Sequence, residues 1–236
     1  MSETSFPTAD STLTEFRDGV LATLPAIAAA VPFAVLIGAL AVDRGLSIAE
    51  SGLMSALVFA GASQFVALDG WTLPAPWLTL GLTALVVNMR HGLMSVSLMR
   101  RLGRFPRWAR PVALFFMVDE IWAFAEARGR GRPLTPAFYA GLVAFFYPSW
   151  VAGTLAGAVL GRMLPDPKAF GLDFTFIAIF VFLIFTYRAR PGFALTLLAS
   201  SGTAVLVHLV WPGAWSIMAG ALAGILAAAF GPRAAS

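Results

Sequence analysis

The chain has 236 residues, 59% of them hydrophobic and 12% charged, with a mean hydropathy of +0.82. An ordinary soluble domain is about one quarter charged, so this composition describes an integral membrane protein. The net charge of +4 does not indicate nucleic acid, because the arginines gather at the ends of apolar runs, and the absence of cysteine excludes disulfides, thiolate catalysis and thiolate-held metals.

Residues 1–18 are polar and mixed in charge, without the basic start, short apolar core and cleavage site of a secretory signal, so the first apolar segment is expected to stay in the protein. Thr12-Leu13-Thr14-Glu15 reads as a capping box with Thr12 as N-cap, predicting a helix that starts before the membrane. Residues 19–42 form the first apolar segment, in which Pro25 and Pro32 each remove a backbone donor and are expected to bend or break the helix. Residues 51–68 form the second and include Gly61-Ala62-Ser63-Gln64, where the lack of a large side chain before the amide suits either local unwinding or a packing notch.

The third segment, 76–99, holds Asn88-Met89-Arg90-His91, and the fourth, 111–127, holds Asp119-Glu120. The fifth, 137–163, contains Tyr147-Pro148-Ser149 and a stripe of Gly153, Gly157 and Gly161 that would let another helix approach closely. Segments at 172–187, 192–210 and 214–230 complete the series, and residues 231–236 form a short tail. The fold expected is an all-α polytopic membrane protein: residues 19–230 form a single transmembrane domain of seven or eight hydrophobic helical segments, some broken or re-entrant.

If all eight segments span, seven cationic residues face eight across the membrane, which orients nothing. If the fourth segment instead dips in and returns, Arg44, the arginines from Arg100 to Arg110 and from Arg128 to Arg132, Arg188, Arg190 and Arg233 share one side, and the N-terminus lies outside. A faint internal echo relates Pro32, Gly38 and Gly45-Leu46-Ser47 to Pro148, Gly153 and Gly171-Leu172-Asp173. Three spans between corresponding points would make two pseudo-symmetric halves inverted, as in many transporters, and four would make them parallel.

Charge inside apolar sequence is the sharpest functional signal. At a helix centre each Arg or Asp costs roughly 2.5–3.5 kcal/mol on insertion scales, so such residues usually face partners or water. Counted from the arginine-rich connection at 100–110, Arg90 and Asp119 lie at similar depths of about 14 Å, so they can neutralise each other or hold opposite ends of a zwitterion. Arg90 can bind a carboxylate through paired hydrogen bonds, or fasten two segments through Asp119 or Glu120. Asp119 and Glu120 point about 100° apart on a regular helix, leaving one for a substrate ammonium or for Arg90 and the other, by preference Glu120, for proton coupling. His91 could relay protons, or be satisfied by Asn88 or Ser95. His208 reads as packing or interfacial, and the tryptophans at 71, 77, 108, 150, 211 and 215 as interfacial anchors or packing.

Phe16-Arg17-Asp18-Gly19-Val20 with Pro25, Gly61-Ala62-Ser63-Gln64-Phe65, Asn88-Met89-Arg90-His91, Asp119-Glu120 and Gly171-Leu172-Asp173-Phe174 together resemble the AzlC family over residues 16–230. The resemblance implies an inner-membrane permease that exports branched-chain amino acids with a small second subunit of the AzlD type. It carries no catalytic residue set and no cofactor. The reading of the residues adds candidate substrate contacts at Arg90, Asn88, Ser63, Gln64 and Asp119, coupling at Glu120 and His91, and helix breaks at Pro32, Gly61 and Pro148. Expected partners are a small amino acid, membrane lipid and the small subunit, without metal or nucleic acid. The alternatives are a permease for another small solute, a structural subunit, and an intramembrane enzyme using Asp119 and Glu120. The enzyme lacks an HExxH run or a GxSxG elbow.

Overall fold

The computed structural model describes residues 9–163, 181, 184–185, 188–189, 191–211 and 214–231. Most of the predicted sixth segment, and the Gly171-Leu172-Asp173-Phe174 motif, lie outside these residues. The described chain is helical: α1 (Ala9–Asp43), α2 (Ile48–Val58), α3 (Gly61–Asp69), α4 (Trp77–Met99), α5 (Ala109–Phe115), α6 (Asp119–Gly131), α7 (Pro136–Met163), α8 (Phe193–Val210) and α9 (Ala214–Phe230), with one 3-10 turn at Leu102–Arg104. Three helical stretches, Thr12–Asp43, Pro136–Met163 and Phe193–Val210, are long and apolar enough to cross a membrane.

The contacts divide these elements into two units. One contains α1–α3, residues 87–99 of α4, and α5–α7. The other contains residues 72–86, α8 and α9. In the second unit α8 and α9 pack antiparallel on small residues, and a Cβ at Gly220 would stand 2.8 Å from both Ala204 Cβ and Ser200 O.

In the first unit α1 and α7 lie side by side and run in the same direction. Gly19 faces Phe138 and Gly141, Gly38 faces Thr154 and Ala158, Gly157 faces Val35, and Gly161 faces Ala39 and Val42. Backbone meets backbone here: a Cβ on Gly38 or Gly157 would fall on the opposite carbonyl. The glycine stripe at 153, 157 and 161 is thus where α1 lies. Pro25, Pro32 and Pro148 do not break their helices, contrary to expectation; α1 is continuous for 35 residues and α7 for 28. Each proline is exposed, with its ring away from the α1–α7 contact, and that contact supports the ladder on both sides of the missing donor. Thr12 is not an N-cap either. The helix already includes Ala9, and Glu15 accepts hydrogen bonds from Arg128 and from Thr135 Oγ1 instead. A complete capping box does stand at Ser47–Glu50, which starts α2.

The breaks fall elsewhere. The second apolar segment is interrupted at Phe59–Ala60 and the fourth at Phe116–Val118, so Gly61 opens α3 and Asp119 opens α6. At 1.5 Å per residue each of these short helices covers only about 10–20 Å, less than the hydrocarbon thickness of about 30 Å. Both pairs fold back. Arg44, just past the end of α1, donates to Asp69 O at the end of α3 (2.9 Å), so the α2–α3 hairpin ends beside its own start. Likewise Arg101, just past α4, donates to Gly129 O near the end of α6 (2.7 Å) and pairs with Glu126 (3.3 Å).

Of the two expected topologies, the contacts fit the returning fourth segment but not the antiparallel α1 and α7 that it implied. A spanning fourth segment is incompatible with the Arg101–Gly129 contact. A fourth segment that folds back alone, with the second and third segments spanning, would leave α1 and α7 antiparallel, whereas they run parallel. Pro32 and Pro148 lie on parallel helices, the second of the two arrangements weighed for the echo, and its Gly171-Leu172-Asp173 end lies outside the described residues.

Candidate functional site

The site is built where the two hairpins turn and the middle of α4 reaches both. α3 runs alongside the second half of α1, with Phe33 against Phe65 (ring centroids 4.5 Å apart) and Arg44 against Asp69. α6 runs alongside the second half of α4 in the same parallel sense, with Arg90 against Asp119, Ser97 against Trp122 and Glu126, and Arg101 against Gly129. α7 supports both hairpins. Tyr147 donates its hydroxyl to Ala56 O of α2 (2.9 Å) and Tyr139 to Ala113 O of α5 (2.6 Å), in each case the carbonyl three residues before the terminal phenylalanine. These are carbonyls of a helix's last turn, which lack an intrahelical partner.

The half-helices α3 and α6 both begin in dry, apolar surroundings without a capping side chain. Their N-caps are Ala60 and Val118, 5% and 8% exposed. The first amides of a helix have no partner of their own and carry the positive end of its dipole. α4 contacts the first turn of each. Asn88 Nδ2 donates to Ser63 Oγ (3.1 Å), and Arg90 Nη1 donates to Asp119 Oδ2 (2.6 Å). That ion pair is only half-buried, at 40% and 46% side-chain exposure. Asn88 Oδ1, Arg90 Nε and His91 Nδ1 are buried without a hydrogen-bond partner among the described residues. Glu120 is exposed. The arrangement can therefore offer donors to an anion from two helix starts and from Arg90, and a carboxylate to a cation from Asp119 or Glu120.

Of the candidate residues, Asn88 pairs with Ser63 and Arg90 with Asp119, two separate contacts from the middle of α4, with Glu120 and His91 adjacent in sequence. Gln64 does not join them. It is 1% exposed, donates to Ser55 Oγ (2.9 Å) and accepts from Trp150 Nε1 (3.2 Å), while Ser55 also bonds Thr154 (2.6 Å). Both ends of its amide are used in fastening the α2–α3 hairpin to α7. Ser95 Oγ bonds the His91 carbonyl rather than its ring. Sequence reasoning missed Glu126, Tyr139 and the two phenylalanines at the breaks, and gave Glu15 a cap in place of its bonds to Arg128 and Thr135. For Phe59 and Phe116 the one available signal was position, since each precedes by two or three residues the polar motif that opens a half-helix.

Among the described residues no group of His, Cys, Asp and Glu could hold a metal ion. The AzlC protein family model matches residues 25–164. An uncharacterized membrane protein of Archaeoglobus fulgidus is 30% identical over 213 residues, covering 89% of this chain and 93% of the relative. Inner membrane protein YgaZ of Escherichia coli K12 is 29% identical over 221 residues, covering 90% and 89%. An uncharacterized membrane protein of Helicobacter pylori 26695 is 24% identical over 179 residues, covering 75% and 78%. No solved structure matches the chain significantly. With its apolar spans, consistent with a bacterial inner membrane, and a family assignment of the transporter rather than the enzyme kind, the chain belongs to the AzlC family.

Proposed function

We propose that the chain exports branched-chain or similar apolar amino acids across the inner membrane by alternating access, linked to protons and working with a small AzlD-type subunit. The observation that carries this reading is the pair of uncapped helix starts at Gly61 and Asp119, each bonded to the middle of α4. In it the substrate carboxylate takes the free amides of a half-helix start and the remaining guanidinium donors of Arg90. The ammonium is held by Asp119, which exchanges Arg90 for the substrate, and Glu120 carries the proton with His91 as relay.

The reading takes α1–α3 and α4–α6 as two halves of inverted direction. Three matched features support it: a terminal phenylalanine whose N–H bonds the carbonyl four residues back, a tyrosine hydroxyl on the carbonyl three residues back, and an arginine just past the long helix that bonds the far end of the hairpin. It also puts the N-terminus in the cytoplasm. Contacts of Arg128 and Thr135 with Glu15 bring the ends of α4 and α6 to the N-terminal face, so Arg17 and the arginines of 100–110 and 128–132 gather there, against Arg44 and Arg162 opposite.

The test is efflux of labelled leucine from proteoliposomes, with and without a candidate small subunit, for wild type, Arg90→Ala, Asp119→Asn and Glu120→Gln under imposed pH gradients. Flux that rises with the gradient, and loses that response in Glu120→Gln alone, is expected. Equal loss of label with and without the folded protein, under every gradient, would sink the proposal.

A further inference from the structure

Two short helices end on phenylalanine, and those two rings meet. Phe59 closes α2 and Phe116 closes α5; their centroids are 6.4 Å apart in an edge-to-face arrangement, and the Tyr147 ring stands against both, at 4.9 and 5.0 Å. Phe59 also has φ 40° and ψ 46°, a left-handed conformation that favours glycine and is costly for a residue with a Cβ. A non-glycine held there is over-determined by its surroundings. What phenylalanine supplies and glycine cannot is a ring filling the gap between the hairpin tips, 3% exposed and packed in addition on Phe146 and Trp150.

The backbone on either side is equally dry: Ala60, Met117 and Val118 are 5%, 3% and 8% exposed. Yet Ser63 lies four residues beyond Phe59, and Asp119 three beyond Phe116, both bonded to α4. The aromatic contact thus lies four residues along the chain from Ser63 and three from Asp119, and it joins the hairpin fastened to α1 and α7 to the hairpin fastened to α4. In channels, apolar constrictions exclude water and ions by dewetting.

We propose that Phe59, Phe116 and Tyr147 form the central barrier of the transport pathway, the seal between the two faces and the surface against which the apolar side chain of the cargo is sized. The proposal rests on the transporter reading for its second half only, because a seal can be measured without cargo. The full chain is reconstituted as wild type, Phe59→Gly, Phe59→Leu, Phe116→Ala, and Phe105→Leu as a control at a buried ring away from the tips. The decay of an imposed pH gradient is followed first, without amino acid. Phe59→Gly, whose backbone fits the native φ, and Phe116→Ala are expected to dissipate it about tenfold faster than wild type, with Phe59→Leu between and Phe105→Leu unchanged.

Competitive efflux of leucine and phenylalanine is measured second, and the phenylalanine share is expected to rise several-fold in Phe59→Gly. Tip variants that elute and melt as folded protein but hold the gradient like wild type would overturn the barrier. If Phe59→Gly does not fold, the same comparison is read on Phe59→Leu and Phe116→Ala. A faster leak in tip variants of a protein that moves no amino acid would keep the barrier and remove the export reading.

Discussion

Arg90 Nη1 lies 2.6 Å from Asp119 Oδ2, joining the middle of α4 to the first residue of α6. The pair is half-exposed, so its worth to stability is well below that of a fully buried pair, and about 1 kcal/mol is the expected coupling. A double-mutant cycle of Arg90→Ala and Asp119→Ala, read by thermal unfolding in detergent, is expected to give that small coupling. Flux should behave differently, with at least a tenfold loss in each single variant and no recovery in the double. Recovery of flux in the double variant would assign the pair to fastening alone.

That pairing was legible in the sequence, because both residues were counted from one connection along helices of fixed rise. The helix breaks were legible only in part: Gly61 opens α3, while Pro32 and Pro148 lie inside continuous helices. Proline is a weak predictor of interruption in a helix flanked closely by another, and Pro32 and Pro148 lie on just such helices. The actual break at Phe59 needs a left-handed residue where the sequence offers neither Gly nor Asn, so only tertiary packing reveals it. Folding back of the second segment was hidden, since hydropathy reads two short helices and one spanning helix alike, whereas for the fourth the placement of the arginines already offered it as one of two topologies.

The returning hairpins make a topological prediction. The chain contains no cysteine, so single substitutions supply the sole thiol. Ala49→Cys and Gly70→Cys, at the two ends of the α2–α3 hairpin, are expected to react with a membrane-impermeant maleimide from the same side of intact cells. Gly103→Cys and Pro133→Cys, at the two ends of the α5–α6 hairpin, should react only after permeabilisation. Labelling of Ala49 and Gly70 from opposite sides would show that the second segment crosses.

Gln64 is expected to matter for folding rather than for substrate. Truncation in Gln64→Ala leaves Trp150 Nε1–H without its acceptor and Ser55 without one of its partners in a buried network. Each unsatisfied buried group costs about 1–3 kcal/mol, so the melting temperature and purified yield should fall. The leucine concentration for half-maximal flux, measured per folded molecule, should stay within about twofold of wild type. Since a twofold change is only about 0.4 kcal/mol, a much larger shift would return Gln64 to the binding site.

The α1–α7 seam predicts opposite outcomes for chemically identical changes. Gly38→Ala places a methyl on Thr154 O and against Ala158 N, and Gly157→Ala places one on Val35 O. Since these are backbone atoms on both sides, the helices must separate, and overpacking of this kind costs about 1–3 kcal/mol. Gly92→Ala, on α4, meets nothing within 4 Å and replaces a poor helix former, worth up to about 1 kcal/mol in the stabilising direction. Thermal unfolding of the three variants in one detergent checks the contrast. Equal melting temperatures across the set would mean that α1 and α7 are not in backbone contact, and would remove their parallel pairing.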